Sequence, residues 1–571
     1  MELAALFAEA EVYSRVLNAI LRWAMPALTI ILLFRCIRPL IFFRREPEIW
    51  AWLLLSDGSK RAVTHWENVI GRSKQSDIRI DLSTVSKTHA VLTRYADGSW
   101  SITDAESKGG VTVNGRKIDT HPLEEEDVIG IGGLEMTLQP ISKKQEQRLA
   151  QLRTKGATVT GSFANVLLLT VIQLLCCVAY LLAGVGDQAQ SVLLGFTGIV
   201  VLQWLLLVFY LCIRRTSFEV ETLAFFLCTM GMAVISAVKP GEALKQLIAI
   251  ALGIVLFLAV GFSLRDLEWA KKFRYLAAVA GIGFLVITLL FGQEYYGAKN
   301  WLVIGSMSIQ PSELSKVCFV YVGASTMDRI VTKRNMFLFI GYSAALCGCL
   351  ALMNDFGTAL IFFCAFLVIA FMRSGSVGTI ALACTGLAFA GVVALKIAPH
   401  ALRRFESWRH IWEVPLNGGY QQTRALMCMA SGGFLGLGAG QGWLKHIFAA
   451  DSDIATATLC EEWGLIMVLL VTLVVIAFAV FCIRSAAVGR SSFYTISACA
   501  AAAVLLMQTI LNLLGTVDAL PLTGVTFPFL SNGGSSMLCA WGLLAFVKAA
   551  DTRQNASFAV PLGKKGGKAD E

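Results

Sequence analysis

Charge is scarce in this chain of 571 residues. Only 15% are Asp, Glu, Lys or Arg, 56% are hydrophobic, and mean hydropathy is +0.66. That balance excludes an ordinary soluble globular protein and points to a polytopic membrane protein. Metal-thiolate signatures are missing too. The 15 cysteines include no CxxC pair and no Cys/His cluster at zinc spacing. Most lie in apolar runs (Cys176, Cys177, Cys228, Cys364, Cys499), where a thiol behaves as a small hydrophobe. A signal-peptide cleavage site is absent after the first apolar run, about 16–43. Its leading end is acidic (Glu2, Glu9, Glu11) and its trailing end basic (Arg35, Arg38, Arg44, Arg45), which predicts a membrane span instead. The glycine-rich run "SGGFLGLGAG" (431–440) lacks the Lys-Ser/Thr ending and the preceding strand of a phosphate loop, so it reads as close loop packing. The net charge of +9 is small for this length. Its placement matters more than its sum, and nothing in it calls for nucleic acid.

What is present falls into blocks. Residues 49–140 are polar, with short alternating stretches ("SWSITD", "VTVNGRKI", "LEMTLQP"). Turn pairs separate them: Asp57-Gly58, Asp97-Gly98, Asn114-Gly115 and Gly132-Gly133. Such spacing predicts a small β-sandwich. A polar linker, 142–162, follows and should be partly helical. From residue 163 the chain reads as spans of about 17–25 residues. They are placed near 163–184, 190–212, 220–238, 244–262, 274–292, 313–330, 336–353, 357–372, 377–396, 459–483, 491–515 and 530–548. With the N-terminal run this makes about thirteen. Basic residues recur in alternate loops: Arg214/Arg215, Arg265/Lys271/Lys272/Arg274, Arg329/Lys333/Arg334, Arg373, Arg484/Arg490 and Lys548/Arg553. Those loops, the sandwich and the C-terminal tail are therefore predicted to be cytoplasmic, and the N-terminus extracytoplasmic. One long loop, 397–456, falls outside and yet carries Arg403, Arg404, Arg409, Arg424 and Lys445. It is either an ordinary basic loop or an anion site.

The polar block contains "VIGRSKQSDIRIDLSTVSKTHAVL". Gly71-Arg72, Ser86-Lys87-Thr88-His89 and Asn114-Gly115 resemble the signature of the forkhead-associated (FHA) domain. The resemblance implies a phosphothreonine site. Arg72 and Ser86 would hold the phosphate, with Lys87, Ser107 and Asn114 around it and His89 supporting the loop from within. A guanidinium and a hydroxyl at one loop tip suit a group with nearly two negative charges and three acceptor oxygens. Gly109 stands where the family often has Asn. The alternative is an FHA fold kept for structure alone.

Four stretches of the apolar region carry a second resemblance. They are "NWLVIGSMSIQPSELSKV" (300–317), "NDFGTALIF" (354–362), "GGYQQTRALMCMASGGFLGLGAG" (418–440) and "LPLTGVTFPFLSNGGSSML" (520–538). In order and spacing they resemble the shape, elongation, division and sporulation (SEDS) family, which includes RodA and FtsW, over about 220–550. The implied fold class is a polytopic α-helical membrane protein, ten of its spans a SEDS core, with an inserted cytoplasmic all-β FHA sandwich. The implied plan is an anchor (1–45), the FHA domain (46–141), a linker (142–162), two additional helices (163–215), the SEDS domain (216–550) and a tail (551–571).

The resemblance further implies a peptidoglycan glycosyltransferase that polymerises lipid II, a disaccharide-peptide on a polyprenyl pyrophosphate, at the outer face of the bacterial cytoplasmic membrane. Counting back from Glu461-Glu462-Trp463-Gly464 puts Asp453 on the family's catalytic carboxylate, and Asp451 where the family has His. A carboxylate there can take the proton of the attacking sugar hydroxyl. Fixed cations can meet the charge of the departing pyrophosphate, for which Arg403, Arg404, Arg409 and Arg424 are candidates. A divalent cation, Mg or Mn, is left open as sharing that work. Gln310, Glu313, Lys316 and Ser535 are assigned to the substrate cavity. Glu313 and Lys316, at i and i+3, can meet on one helix face. One of Glu461 and Glu462 is expected to pair with a loop arginine. The implied partners are a class B penicillin-binding transpeptidase and a phosphothreonine protein. Two other readings stand beside this one: a flippase for polyprenyl-linked sugars, and a non-catalytic scaffold whose output is the FHA domain.

Overall fold

The computed structural model describes residues 2–558 except 44–47, 74–75, 96–97, 143, 146–147, 150–156, 185, 296–297, 305–306, 328–332, 376 and 398. The linker 142–162 therefore lies largely outside the described residues. Helix α1 (Glu2–Ile41) leads into eleven short strands: β1 (Ala51–Leu55), β2 (Lys60–Val63), β3 (Glu67–Gly71), β4 (Ile78–Arg79), β5 (Ala90–Arg94), β6 (Trp100–Asp104), β7 (Val111–Val113), β8 (Arg116–Ile118), β9 (Thr120–Leu123), β10 (Val128–Ile131) and β11 (Leu134–Pro140). They form two sheets, ordered β2-β1-β11-β10-β7-β8 and β4-β3-β5-β6-β9. Alternate residues point inward, and Leu53, Ile70, Leu92, Ile102, Val111 and Ile129 fill the space between the sheets. Asn114 (φ 51) and Gly115 (φ 78) both take the left-handed conformation that the two-residue β7–β8 turn requires.

The remaining helices are α2 (Val159–Leu182), α3 (Ala189–Cys212), α4 (Glu219–Val238), α5 (Ala243–Ser263), α6 (Leu267–Phe291), α7 (Pro311–Met327), α8 (Lys333–Leu352), α9 (Phe356–Ser374), α10 (Val377–Ile397), α11 (Pro399–Ser407), α12 (Tyr420–Gly432), α13 (Ala455–Ala486), α14 (Ser492–Thr516) and α15 (Gly534–Ala549). Among the described residues ten helices are long and apolar enough to cross a membrane. Helices α7, α10 and α15 coincide with the three other predicted spans, and the chain is a multi-pass membrane protein. Helix α4 is buried along its length from Glu219 to Ala237 and forms the middle of the bundle. Helices α6 and α8 show Val279, Phe291, Phe337 and Leu338 to the outside, as lipid-facing surfaces do. Sequence patterning missed a three-stranded sheet (β12 Gln293–Tyr295, β13 Ala298–Ile304, β14 Met307–Ile309) between α6 and α7, and the helices α11 and α12 inside the predicted loop 397–456.

Two packing details shape the site. Helix α13 is broken at Gly464 (φ 85, ψ 165), where an added Cβ would lie 2.2 Å from the Phe434 carbonyl oxygen. The glycine-rich run passes alongside the break. Leu437 N donates to Glu461 O (2.8 Å), Gly438 N to Glu462 O (2.9 Å) and Leu465 N to Gly433 O (2.9 Å). The run is thus close backbone packing, as its missing phosphate-loop ending predicts. At the other end of the bundle the sandwich rests on the α13–α14 loop. Arg490 pairs with Glu48 (2.8 Å), Trp66 N donates to Arg490 O (2.6 Å), and the Trp66 ring meets Tyr494 edge-on. The segment expected to be a tail is packed as far as it is described. Phe558 is buried against Tyr210, Phe257 and Phe262.

Candidate functional site

A cavity of about 870 Å³ opens at the end of the bundle away from the sandwich. Its walls come from β13 and β14 (Asn300, Trp301, Ser308), the start of α7 (Gln310, Glu313), the start of α9 (Asp355, Thr358), α11 (Arg404, Phe405), α12 (Tyr420, Gln421), the turn before α13 (Phe448, Ser452, Asp453) and the loop before α15 (Leu522, Thr523, Gly524, Thr526). The four stretches singled out in the sequence therefore line one space, but only 300–317 does so with residues named there for chemistry, Gln310 and Glu313. The 418–440 stretch adds Tyr420 and Gln421.

Asp453 lies at this wall, half-buried. Ser452 Oγ donates to its Oδ1 (3.1 Å), and its Oδ2 rests beside Gly524, where an added Cβ would stand 3.3 Å away. Burial raises its pKa above the ordinary carboxylate value. The Ser452 hydroxyl and the Arg404 guanidinium pull it down, and Asp451 pushes it up further. Among the described residues no cation is within salt-bridge distance of it. Asp451, two residues away, has the opposite fate. It is buried, pairs with Lys239 Nζ through Oδ2 (3.0 Å) and accepts from Asn532 Nδ2 (2.7 Å). A shift of two residues thus separates an acid spent on structure from one facing open space.

The predicted cations divide. Arg404 reaches the cavity, with Nη1 on Thr523 O (3.1 Å). Arg403 belongs to α11, and its side chain lies outside the described residues. Arg409 does not line the cavity: its guanidinium stacks on Trp408, and its N–H donates to Asp518. Nor does Arg424, which covers the Tyr420 ring and donates to Pro415 O and Thr423 Oγ1. The Arg409 guanidinium is taken up by the Trp408 ring, and that of Arg424 by the Tyr420 ring and the Pro415 carbonyl.

Glu313 and Lys316 form a buried ion pair (2.6 Å), and Glu313 also faces the cavity. Ser535 does not line it. Its Oγ accepts the Gln310 N–H (2.9 Å) and so braces the loop that carries Gln310. Among the described residues neither Glu461 nor Glu462 meets an arginine, contrary to expectation. Glu461 accepts the N–H groups of Trp443 (2.8 Å) and Leu444 (2.9 Å), and Glu462 accepts the Tyr180 hydroxyl (2.6 Å). Backbone donors freed by the glycine-rich turn do the work a guanidinium was expected to do. Asp355 was not nominated from the sequence. It caps α9 through Thr358 N (3.0 Å) and accepts Asn300 Nδ2 (2.9 Å) at the cavity wall. Its signal was the Asn-Asp-Phe-Gly-Thr run itself. Among the described residues no three His, Cys, Asp or Glu side chains are grouped to hold a metal ion.

A second cluster sits at one end of the sandwich. His89 is buried; its Nδ1 accepts the Ser86 N–H (3.0 Å), and its Nε2 meets Gly110 O (3.0 Å). It thereby ties the loop before β5 (Ala90–Arg94) to the loop before β7 (Val111–Val113). Ser86 Oγ accepts Lys108 N (3.0 Å), Ser107 Oγ accepts Gly110 N (2.8 Å), and Arg72 N donates to Ser86 O (3.0 Å). Arg72 and Lys87 are exposed. Asn114 is not part of this cluster. It lies at the opposite end of β7, where its amide donates to Asp127 (2.7 Å) and its carbonyl accepts Val128 N (2.9 Å).

These features have relatives. Residues 220–556 match the FtsW/RodA/SpoVE family, described as cell cycle proteins, and residues 68–132 match the FHA domain. The peptidoglycan glycosyltransferase RodA of Mycobacterium tuberculosis is 28% identical over 329 residues, 53% of this chain and 69% of that protein. A protein of Nitrosococcus halophilus described as a probable peptidoglycan glycosyltransferase FtsW is 31% identical over 323 residues, 54% of this chain and 82% of the other. Among solved structures, a chain from a peptidoglycan synthase complex that coordinates polymerization and crosslinking has a TM-score of 0.50 at 23% identity. The match covers 58% of this chain and 96% of that one; it is a likeness of fold.

Proposed function

The chain belongs to the FtsW/RodA/SpoVE family and carries an FHA domain, and on that premise we propose that it polymerises lipid II into glycan strands, with Asp453 as general base. The observation that carries the reading is the contrast between Asp451, locked in an ion pair, and Asp453, turned to a cavity of about 870 Å³ with its pKa raised. In the proposed step Asp453 takes the proton of the acceptor sugar hydroxyl as its oxygen attacks the anomeric carbon of the donor. The bond from that carbon to the pyrophosphate breaks, and the growing negative charge meets Arg404. Cations held in a partly desolvated site stabilise such charge more than water does. A raised pKa brings the base nearer the working pH, where proton transfer is most effective. Asp355, Asn300, Gln310 and Glu313 supply polar contacts for the sugar across the cavity. The cavity end is extracytoplasmic in this reading, because the basic loops cluster at the sandwich end. A class B penicillin-binding transpeptidase is the proposed partner there. Within the cytoplasm the FHA domain binds a phosphothreonine protein through Arg72, Ser86 and Lys87. Asn114 is left out of that site.

The test is polymer formation from lipid II by the purified full-length protein with its partner. Asp453→Asn should lower the rate by about 10²–10⁴, whereas a flippase working through the same cavity would keep transporting. Undiminished polymer from Asp453→Asn would remove the catalytic assignment.

A further inference from the structure

The carbonyl groups of three consecutive residues, the last two at the cavity wall, are each held by a donor from another part of the fold. Asp451 O accepts the Asn532 N–H (2.8 Å), Ser452 O accepts Ser531 Oγ (2.6 Å), and Asp453 O accepts Asn512 Nδ2 (2.9 Å). Asn512 is fully buried in α14 and makes a second bond with the same amide, to Val525 O (2.8 Å). Its own oxygen accepts Thr456 Oγ1 (3.3 Å). Burying an amide in a membrane helix is costly unless every polar atom finds a partner, and here each does. Leu, the commoner resident of such a position, would pack as well and bind neither carbonyl.

Those two carbonyls belong to two adjoining segments of the cavity wall. One is on the peptide of Asp453. The other is in the segment 523–526, which holds Arg404 through Thr523 O and places Gly524 against the Asp453 carboxylate. A single side chain therefore ties the peptide carrying the acid directly to the segment anchoring the cation. Resting on the catalytic reading of Asp453 given above, the structure assigns Asn512 as the positioning residue of the site. It does not touch substrate. It acts by holding the Asp453 main chain and the Thr523–Thr526 wall in one register, so that the carboxylate and the Arg404 guanidinium face the same reacting atoms. Displacing a reacting group by about 1 Å can cost on the order of 10²-fold in rate.

The test uses the full-length protein with its partner and lipid II as substrate. Asn512→Ala removes both bonds. Asn512→Asp keeps the shape and the Thr456 contact but loses the amide N–H groups, and it serves if Asn512→Ala fails to fold. Either change should lower kcat per folded molecule about 10- to 100-fold with KM little altered. A residue that only stabilises the fold would change melting and the folded fraction, not kcat per folded molecule. The second arm is the double variant. If Asn512 acts through Asp453, Asn512→Asp should slow the Asp453→Asn enzyme no further. The assignment is overturned if kcat per folded molecule is unchanged, or if the full loss recurs in the Asp453→Asn background. The two failures can be told apart. A full rate in Asp453→Asn sinks the catalytic reading and leaves Asn512 nothing to position. A slow Asp453→Asn beside a fast Asn512→Asp sinks the positioning role alone.

Discussion

Both ends of the helix bundle carry buried charge, and they use it differently. At the sandwich end every charge of the central group has a partner of opposite sign. Arg553 pairs with Glu219 (3.1 Å) and Asp551 (2.6 Å), and Lys548 pairs with Glu221 (3.1 Å), whose other oxygen accepts the Tyr210 hydroxyl (2.6 Å). All five side chains are at most 3% exposed, and a pocket of only about 10 Å³, at Asp551, touches the group. At the cavity end Asp453 faces open volume with one hydroxyl and a neighbouring arginine for support. Charges that serve architecture are saturated by partners from the chain itself. A charge left partly unsatisfied in a cavity has its remaining capacity free for a ligand. Asp451, held by Lys239 and Asn532 through one oxygen, shows that the cavity end also contains a charge tied to the chain itself.

This contrast can be broken by experiment, beginning where the effect is largest. Arg553→Ala leaves Glu219 and Asp551 buried without their cation. Removing one partner of a buried pair typically costs about 3–5 kcal/mol, so thermal denaturation should show a large loss of stability, or little folded protein should be recovered. Intact stability would mean that the sandwich-end network is ornamental. Arg72→Ala is next. A charge-assisted contact contributes about 1.5–3 kcal/mol, so phosphothreonine-peptide binding by the full-length protein should weaken about tenfold or more, with melting unchanged. Equal binding of the phosphorylated and plain peptides by wild type would end the phosphate reading.

A smaller effect is expected on pH dependence. Asp453 must be ionised to act as a base, so polymerisation should fall as pH drops through its pKa. Burial raises that pKa, which places the acid limb above the usual carboxylate range of about 3.9. Arg404 lowers it, so Arg404→Ala should move the acid limb to higher pH. A shift to lower pH would mean that Arg404 does not act on Asp453.

Much of the architecture was legible because it rests on period and length. Apolar runs of span length gave the helices, and alternation with turn pairs gave the sandwich. The Asn114-Gly115 turn formed as its residues dictate, yet the same geometry aims Asn114 at Asp127 and away from Ser86. Legibility failed where a side chain's partner comes from a distant segment. Arg409 and Arg424 share the loop with Arg404 but find Trp408 and Tyr420 first. Glu462 is met by Tyr180, from a helix that precedes the matched family region. Asn512 sits in an apolar helix with no motif around it, and only the fold reveals that it grips two carbonyls. The sheet at 293–309 was hidden because its strands are too short to show a period.

The smallest expected effect is the most telling. Because burial raises the folded-state pKa of Asp453, protonation favours the fold, and stability is lost as pH rises through that pKa. At neutral pH the ionised carboxylate is thus a burden on folding, which Asp453→Asn removes while keeping the side chain's size. The measurement is the melting temperature of Asp453→Asn at neutral pH, taken on the same preparation whose polymerisation is assayed. A melting temperature equal to or above that of wild type, in protein that makes little glycan, is the predicted result. A fall like that of Arg553→Ala would make Asp453 an architectural charge, and the contrast between the two ends of the bundle would not hold.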